Sequence, residues 1–102
     1  MVREQIAGFW FEWDEEKSTR CERERGFNFS AAAEVFFDEY GVGASNMSWR
    51  GEERRQISGM TPLGVILLVV FEIREYDGQK SYRIISAREA TKTEKRQYWR
   101  GI

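Results

Sequence analysis

The feature that most constrains how this chain can fold is the apolar run VILLVVF at residues 65–71, together with the alternating segment that follows it. A β-branched and aliphatic run of this length is typical of a central strand covered on both faces. The pair Asp77-Gly78 suits a two-residue turn between antiparallel strands, so a central hairpin is predicted. Its register matches opposite charges and apolar partners: Glu75 with Lys80, Glu72 with Arg83, Ile73 with Tyr82, and Phe71 with Ile84.

A strand and a polar helix are predicted at the start of the chain. Phe9, Phe11 and Trp13 alternate with other residues, which indicates a strand whose aromatic face points inward. Asp14 is then a suitable N-cap for a helix, and Gly26 a suitable C-terminal stop. The remaining predicted elements are a helix capped by Ser30 and ended by Gly41, a loop entering a short edge strand over 41–48, a strand over 53–60 that turns at 61–64, and a helix over 87–99 that starts from a capping box of Ser86 and Glu89.

These elements predict an α+β fold in the order β-α-α-β-β-β-α, with a small antiparallel sheet. A chain of 102 residues is long enough for one hydrophobic core, so residues 1–102 are expected to form a single domain. The single cysteine, Cys21, permits no internal disulfide. No apolar run approaches the length of a membrane span, and the N-terminus lacks the apolar segment of a signal peptide, so we expect a cytoplasmic protein with no membrane association.

The charge and the chemistry of the sequence narrow the functional classes. Residues 54–102 hold 10 Lys and Arg against 5 Asp and Glu, whereas residues 1–53 hold 6 against 12. A basic second half is suited to phosphate or to an acidic partner, although the charges can equally be spread over solvated faces. The chain contains no histidine, so any acid-base chemistry must use other groups. No glycine-rich phosphate loop, nucleophilic serine motif or carboxylate metal cluster is present, and we expect neither a metal nor a cofactor.

Five segments of the chain are distinctive in their order: FEWDEEK (11–17), GFNFSAAAEVF (26–36), GEER (51–54), LLVVF (67–71) and RIISAREATKTEKRQY (83–98). Together they resemble the BrnT family of toxins. The resemblance implies a ribonuclease toxin of a type II toxin-antitoxin pair, with a fold related to the RelE toxins and with metal-independent cleavage of RNA that inhibits growth. It also implies a ribbon-helix-helix antitoxin similar to BrnA, through which the toxin-antitoxin complex contacts operator DNA.

The first predicted helix departs from the family pattern. Where the family usually has Asn and then a Lys-His pair, this sequence has Cys21 and then Glu24-Arg25. Its second hairpin is longer than usual for the family, and its net charge of -1 is slightly acidic where such toxins tend to be basic. Two alternatives therefore stay open: a catalytically weak or inactive member that acts as a protein-binding partner in an antitoxin-DNA complex, and a plain RNA-binding module.

The resemblance places Arg54, Arg83 and Arg88 at recurrent arginine positions of the family, which makes them candidate catalytic residues. A guanidinium binds phosphate oxygens in pairs and stays charged, so it suits the charge that develops on phosphorus during RNA cleavage. The alternative for Arg83 is an ion pair with Glu72 across the hairpin.

Two further groups of residues are candidates for binding. Lys17 and Arg25 share a helix face with Cys21, so Arg25 is a candidate phosphate contact and Lys17 a candidate catalytic proton donor, unless this face only packs. In the final helix, Tyr98 is a candidate for stacking on a base, and Tyr98, Trp99 and Arg96 are candidates for binding the antitoxin. The alternative is that Tyr98 and Trp99 cover the protein's own sheet.

Overall fold

A computed structural model describes the backbone of residues 1–49 and 52–101, and the side chains of residues 1–43 and 54–101. The strands in this part of the chain are β1 (Val2–Ile6), β2 (Phe9–Trp13), β3 (Val42–Trp49), β4 (Glu52–Met60), β5 (Ile66–Tyr76) and β6 (Gln79–Glu89). The helices are α1 (Glu15–Arg25), α2 (Phe29–Ala33) and α3 (Lys92–Arg100), with a 3-10 helix over Glu34–Phe37. The predicted α+β class is confirmed.

The strands form one sheet in the order β1-β2-β6-β5-β4-β3. The sheet is mixed, since β2 pairs with β6 in parallel while the other pairs are antiparallel. The predicted order lacked the edge strand β1, because its sequence VREQI offers only Val2 and Ile6 to the core. It also reduced β3, the opposite edge, to a loop with a short strand. Sequence periodicity does not show which distant strands pair, so the parallel contact was not predicted.

The central hairpin of β5 and β6 has the predicted register. All four predicted side-chain pairs lie opposite one another, and Asp77 and Gly78 have φ values of 51° and 82° at the turn. The register then shifts between Val70 and Phe71, because Ile84 lies opposite Phe71 while Ser86 lies opposite Val70. Ile85 is therefore the extra residue of a β-bulge, a feature that bends a strand and redirects its side chains.

The two predicted caps of the first helix are correct, and the predicted cap of the second helix is wrong. Asp14 accepts hydrogen bonds from the backbone nitrogens of Glu16 and Lys17, and Gly26 ends α1 in the left-handed region, as predicted. The second helix is capped by Asn28 and not by Ser30: the Asn28 side chain accepts a hydrogen bond of 2.8 Å from the backbone nitrogen of Ala31. Asparagine is at least as good an N-cap as serine, and it comes first in the chain.

The predicted start of the last helix is wrong. β6 continues through Ser86 to Glu89, because its ladder with β5 extends as far as the pair of Leu67 and Glu89. The helix begins instead at a second capping box five residues later, in which Thr91 accepts from the Glu94 nitrogen and the Glu94 side chain accepts from the Thr91 nitrogen. The same spacing occurs twice in the sequence, and strand pairing decides between the two.

The two faces of the sheet are covered differently. Side chains of α1, α2 and the 3-10 helix pack on what we call the helix-covered face, and they enclose Phe11, Trp13, Leu67, Val69 and Ile84. Phe9, which was predicted to point inward, remains about half exposed beside Phe37. On the opposite side of β5, α3 forms a second small cluster of Ile66, Ala90 and Tyr98. No helix in the part of the chain described is long and apolar enough to cross a membrane.

A close backbone approach between β4 and the 3-10 helix yields a prediction about stability. A Cβ atom on Gly59 would lie 2.8 Å from the carbonyl oxygen of Val35 and 2.9 Å from its Cβ, and Val35 is fully buried. We expect Gly59→Ala to lower the free energy of unfolding by about 1–3 kcal/mol, measured by urea denaturation. The control is Gly43→Ala, because no atom lies within 4 Å of that added methyl group. Equal stabilities of the two variants would contradict the contact.

Candidate active site

A polar pocket forms where the edge of β6 is left unpaired by β2. The pairing of β2 with β6 covers only residues 81–83 of β6, and beyond them side chains of α1 contact the strand. The carbonyl oxygen of Ala87 accepts a hydrogen bond of 2.8 Å from Arg25 Nη1 and a longer one of 3.7 Å from Cys21 Sγ. Two side chains of α1 thus satisfy a backbone group at this free edge, and they fix the position of the helix beside the bulge.

The pocket between α1 and the bulge has a volume of about 420 Å³ and is rich in positive charge. Its charged lining is Lys17, Arg20, Glu24, Arg25 and Arg54, and the bulge contributes Ile85 and Ser86. Four cations and one carboxylate around one solvent-filled space form a suitable environment for a phosphate group. The structure therefore brings together Lys17, Arg25 and Arg54, which the sequence analysis selected for separate reasons. We call this space the α1–β6 pocket.

Arg54 reaches the pocket from β4 and is held by a buried carboxylate. Its Nε atom lies 3.4 Å from Glu72 Oε1, while Arg74 Nη2 lies 2.6 Å from Glu72 Oε2. Glu72 is only 4% exposed, so its charge depends on these cationic partners. A carboxylate shared in this way holds the Arg54 guanidinium at the border of the pocket.

Arg83 lies on the same face of the sheet, next to this carboxylate. The register places it between Glu12 of β2 and Glu72 of β5. The ion pair with Glu72 that was the alternative for Arg83 is not formed, since Arg54 and Arg74 bind the Glu72 oxygens. Within the described residues, the half-buried Arg83 guanidinium is part of no ion pair. It remains available to a ligand on this face.

Arg88 has a structural contact that the sequence analysis did not predict. Its Nη1 and Nη2 atoms lie 2.7 and 3.1 Å from the two carboxylate oxygens of Glu94. The hydrogen bond to Arg88 is the main reason why the pKa of Glu94 falls from 4.5 to about 2. Arg88 lines a second, larger groove of about 640 Å³, and Arg25 borders both this groove and the α1–β6 pocket. In this structure Arg88 thus anchors the start of α3.

Tyr98 belongs to the core, which favours the alternative that it covers the protein's own sheet. It is 2% exposed, and its hydroxyl donates a hydrogen bond of 2.6 Å to Asp38 Oδ2. Burial, followed by this hydrogen bond, raises its pKa to about 12. The ring can neither stack on a base nor contact a partner in this conformation. Trp99 and Arg96, by contrast, are exposed on α3, and the Trp99 ring packs on Tyr98 with the centroids 5.3 Å apart.

Cys21 and the carboxylates show little sign of a metal site. Burial raises the pKa of the Cys21 thiol, which favours the protonated form. Among the residues described, no three or more Cys, Asp and Glu side chains are grouped to hold a metal ion.

Sequence reasoning missed the second buried carboxylate, Glu12. It is 4% exposed, and both its oxygens accept hydrogen bonds from the Tyr76 hydroxyl, at 3.0 and 3.1 Å. The alternation in β2 did place Glu12 on the face opposite Phe11 and Trp13. The alternation alone does not predict the contact of Glu12 with Tyr76, because that contact also requires the parallel pairing of β2 with β6.

The chain is similar to known proteins in sequence and in fold. The sequence model of the BrnT family, described as the ribonuclease toxin BrnT of a type II toxin-antitoxin system, matches residues 13–94. This chain therefore belongs to the BrnT family of ribonuclease toxins. Its structure is similar to the 1.1 Å crystal structure of the ribonuclease toxin BrnT from Brucella abortus, with a TM-score of 0.58, 18% sequence identity, and coverage of 80% of this chain and 96% of that chain. At this identity the likeness shows a shared fold. No curated protein matches the sequence.

The pair of Arg88 and Glu94 yields a prediction about pH. Because the folded pKa of Glu94 is lowered from 4.5 to about 2, its contribution to stability is complete above pH 4.5 and disappears as the pH falls toward 2. Arg88 is 42% exposed, so solvent screens the pair, and we expect Glu94→Gln to lower the free energy of unfolding by about 1 kcal/mol at pH 7. The difference from wild type should shrink on acidification.

Chemical denaturation at several pH values measures this effect. The control is Glu4→Gln in strand β1. The exposed Glu4 side chain has no described ion pair or hydrogen bond, so this substitution should leave stability unchanged. A Glu94→Gln defect of the same size at pH 7 and at pH 3 would contradict the role of the ionised pair.

Proposed function

We propose that this chain is an active endoribonuclease toxin that cleaves RNA without a metal ion, and that the α1–β6 pocket is its active site. The observation that carries the proposal is the convergence of Lys17, Arg25 and Arg54 on one pocket, from a helix and a strand that are distant in sequence. Family membership supports ribonuclease activity as a class. The kinship of the fold with the RelE toxins, and action in the cytoplasm with inhibition of growth, are part of this proposal.

The pocket contains groups for each step of a cleavage by the ribose 2′-hydroxyl. That oxygen must lose a proton, attack the adjacent phosphorus, and displace the 5′-oxygen, which must gain a proton. Arg54 and Arg25 are placed to stabilise the added negative charge on phosphorus. Glu24 is the carboxylate of the described lining and takes the role of proton acceptor, while the Lys17 ammonium donates to the departing oxygen.

Arg83 and Arg88 take different parts in this proposal. Arg83 lies on the sheet beside the Glu72 that holds Arg54, and it binds a phosphate next to the one that is cleaved. Arg88 retains its predicted catalytic role only if it leaves Glu94, because both of its terminal nitrogens are engaged there. We therefore propose that Arg88 acts mainly by positioning α3.

Substitution of the arginines tests the site. We expect Arg54→Ala to lower kcat/KM for RNA cleavage by about 100-fold or more, the effect of removing one preorganised charge from a transition state. Arg83→Ala should lower it less, mainly through KM. Arg54→Ala should fold because Glu72 still forms its ion pair with Arg74 when Arg54 is removed. Arg83→Ala should fold as well. Cleavage of a labelled RNA in the presence of EDTA measures the rates and also tests metal independence.

The matched control is Arg23→Ala, which removes one charge from an exposed position of α1 outside the pocket lining. Glu24→Gln separates two roles of that carboxylate, because the rate falls if it accepts the proton and rises if it only repels phosphate. Wild-type rates for folded Arg54→Ala would place the active site elsewhere. If the wild-type protein cleaves no RNA, the alternative of an inactive family member that acts by binding is favoured.

The antitoxin is the second part of the proposal. We propose a ribbon-helix-helix protein similar to BrnA, which binds operator DNA and contacts the exposed side of α3 through Trp99 and Arg96. The support is that Trp99 is a large, exposed aromatic side chain next to basic residues, a composition typical of interface hot spots.

Replacement of the Trp99 side chain by alanine tests this contact. With the antitoxin encoded beside the toxin gene, Trp99→Ala should weaken binding by roughly tenfold or more, measured by calorimetry, while the thermal midpoint of the isolated domain changes little. Leu63→Ala is the control, since Leu63 is an apolar residue in the loop between β4 and β5 that is even more exposed than Trp99, at 90% against 54%. Unchanged affinity of Trp99→Ala would remove α3 from the interface.

A further inference from the structure

Away from the α1–β6 pocket, the sheet carries an aromatic platform made of Trp10 and Tyr76. Both side chains lie on the face opposite the helix-covered one, and the Arg3 guanidinium sits over them, 4.5 Å from the Trp10 ring and 5.2 Å from the Tyr76 ring. Tyr76 is 44% exposed and Trp10 is half-buried. Two partly accessible rings thus lie under one arginine, and among the described residues Arg3 is the side chain recorded over them.

The Tyr76 ring is held in place by the buried carboxylate beneath it. Its hydroxyl donates to both oxygens of Glu12, and this hydrogen bond is the main reason why the pKa of Tyr76 is raised. The phenol therefore stays neutral at physiological pH. A ring that is fixed before a ligand arrives loses little conformational freedom on binding, which favours its use as a stacking surface.

The groups that surround the platform present positive charge to solvent. Arg3 is exposed, and Arg74 and Arg83 are partly exposed, whereas the carboxylates of Glu12 and Glu72 are almost completely buried below them. Exposed rings next to guanidinium groups are the composition of sites that bind single-stranded nucleic acid, where bases stack on the rings and phosphates pair with the cations. In a duplex the faces of the bases are already stacked on one another.

The platform is continuous with the proposed active site. The register across the sheet runs from Glu12 to Arg83 and on to Glu72, and Glu72 binds Arg54 at the border of the α1–β6 pocket. A chain of nucleotides bound on Trp10 and Tyr76 could thus follow the arginines into the pocket. This continuity favours a nucleic acid over a protein partner as the ligand of the platform.

We propose that the Trp10–Tyr76 platform is a binding subsite for unpaired bases of single-stranded RNA, on one side of the phosphate that is cleaved. The proposal rests on the ribonuclease function proposed above and adds to it the substrate class, RNA without base pairing. Arg3 in this arrangement moves from the rings to a phosphate, or stays as a cation against a stacked base.

Binding of a single strand that cannot be cleaved tests the subsite separately from catalysis. The probe is a fluorescent single-stranded DNA of mixed sequence, because it lacks the 2′-hydroxyl that attacks, and the readout is fluorescence anisotropy. We expect Tyr76→Leu and Trp10→Leu each to weaken binding roughly tenfold, as for the loss of one stacked base. A duplex of the same sequence should bind the wild-type protein more weakly than the single strand.

Two comparisons isolate the aromatic ring from other effects. Tyr76→Phe removes the hydrogen bond to Glu12, as the leucine variant does, but keeps the ring, so it should recover most of the affinity lost in Tyr76→Leu. Tyr40→Leu is the matched control, because Tyr40 is 45% exposed and lies near the 3-10 helix, away from the platform. Thermal denaturation of each variant shows that the fold is retained.

Three results would overturn the platform, and a fourth concerns only the ribonuclease function. Wild-type affinity of folded Tyr76→Leu and Trp10→Leu would overturn the proposal, and so would equal binding of duplex and single strand. If these leucine variants lose affinity for the antitoxin but keep their affinity for the single strand, the platform is a protein interface and the proposal is also overturned. A wild-type protein that binds the strand but cleaves no RNA would overturn only the ribonuclease function.

Discussion

The rest of the structure depends on the bulge in the long hairpin of β5 and β6. Before the bulge, β6 pairs with β5 on one side and β2 on the other, and the sheet is continuous. After it, β2 has ended and the Ala87 carbonyl points to α1, where Arg25 binds it. The bulge thus separates the region that carries the aromatic platform from an edge that contacts a helix and borders a pocket.

Buried carboxylates organise the arginines of the sheet surface. Glu12 and Glu72 lie on opposite sides of Arg83 in the register. Glu12 accepts from Tyr76 of β5, and Glu72 pairs with Arg54 of β4 and with Arg74 of its own strand. Isolated buried charges are costly, so each carboxylate stabilises the fold only while its partners stay in place. The consequence is that guanidinium groups and a phenol are held in fixed positions on a face that solvent can reach. Preorganised charge of this kind suits a phosphate-bearing ligand better than mobile surface lysines do.

Local signals predicted those parts of the fold that depend on residues close together in sequence. The hairpin register followed from the pairs around Asp77-Gly78, and α1 from Asp14 and Gly26. The errors in the helix starts arose where two local signals competed, as for Asn28 against Ser30. In such cases, packing or strand pairing decides, and neither can be read from a short window of sequence.

The candidate site shows the same limit. The four-residue spacing of α1 predicted correctly that Lys17 and Arg25 share a face, since it depends only on helix geometry. That Arg54 meets them depends on the strand order, and that Arg88 is engaged by Glu94 depends on where α3 begins. Tyr98 was ambiguous because an aromatic ring on a mostly polar helix suits either a core or a surface.

The double contact of Glu72 also affects how such a protein can change over generations. Arg74 forms the shorter of its two described ion pairs, at 2.6 Å, while Arg54 is the longer at 3.4 Å. A mutation that removes Arg54 therefore leaves the buried carboxylate with a close cation, and the domain still folds. Under the catalytic role proposed for Arg54, a lineage under selection against self-poisoning loses the toxin's activity by one mutation and retains the cation that pairs with Glu72.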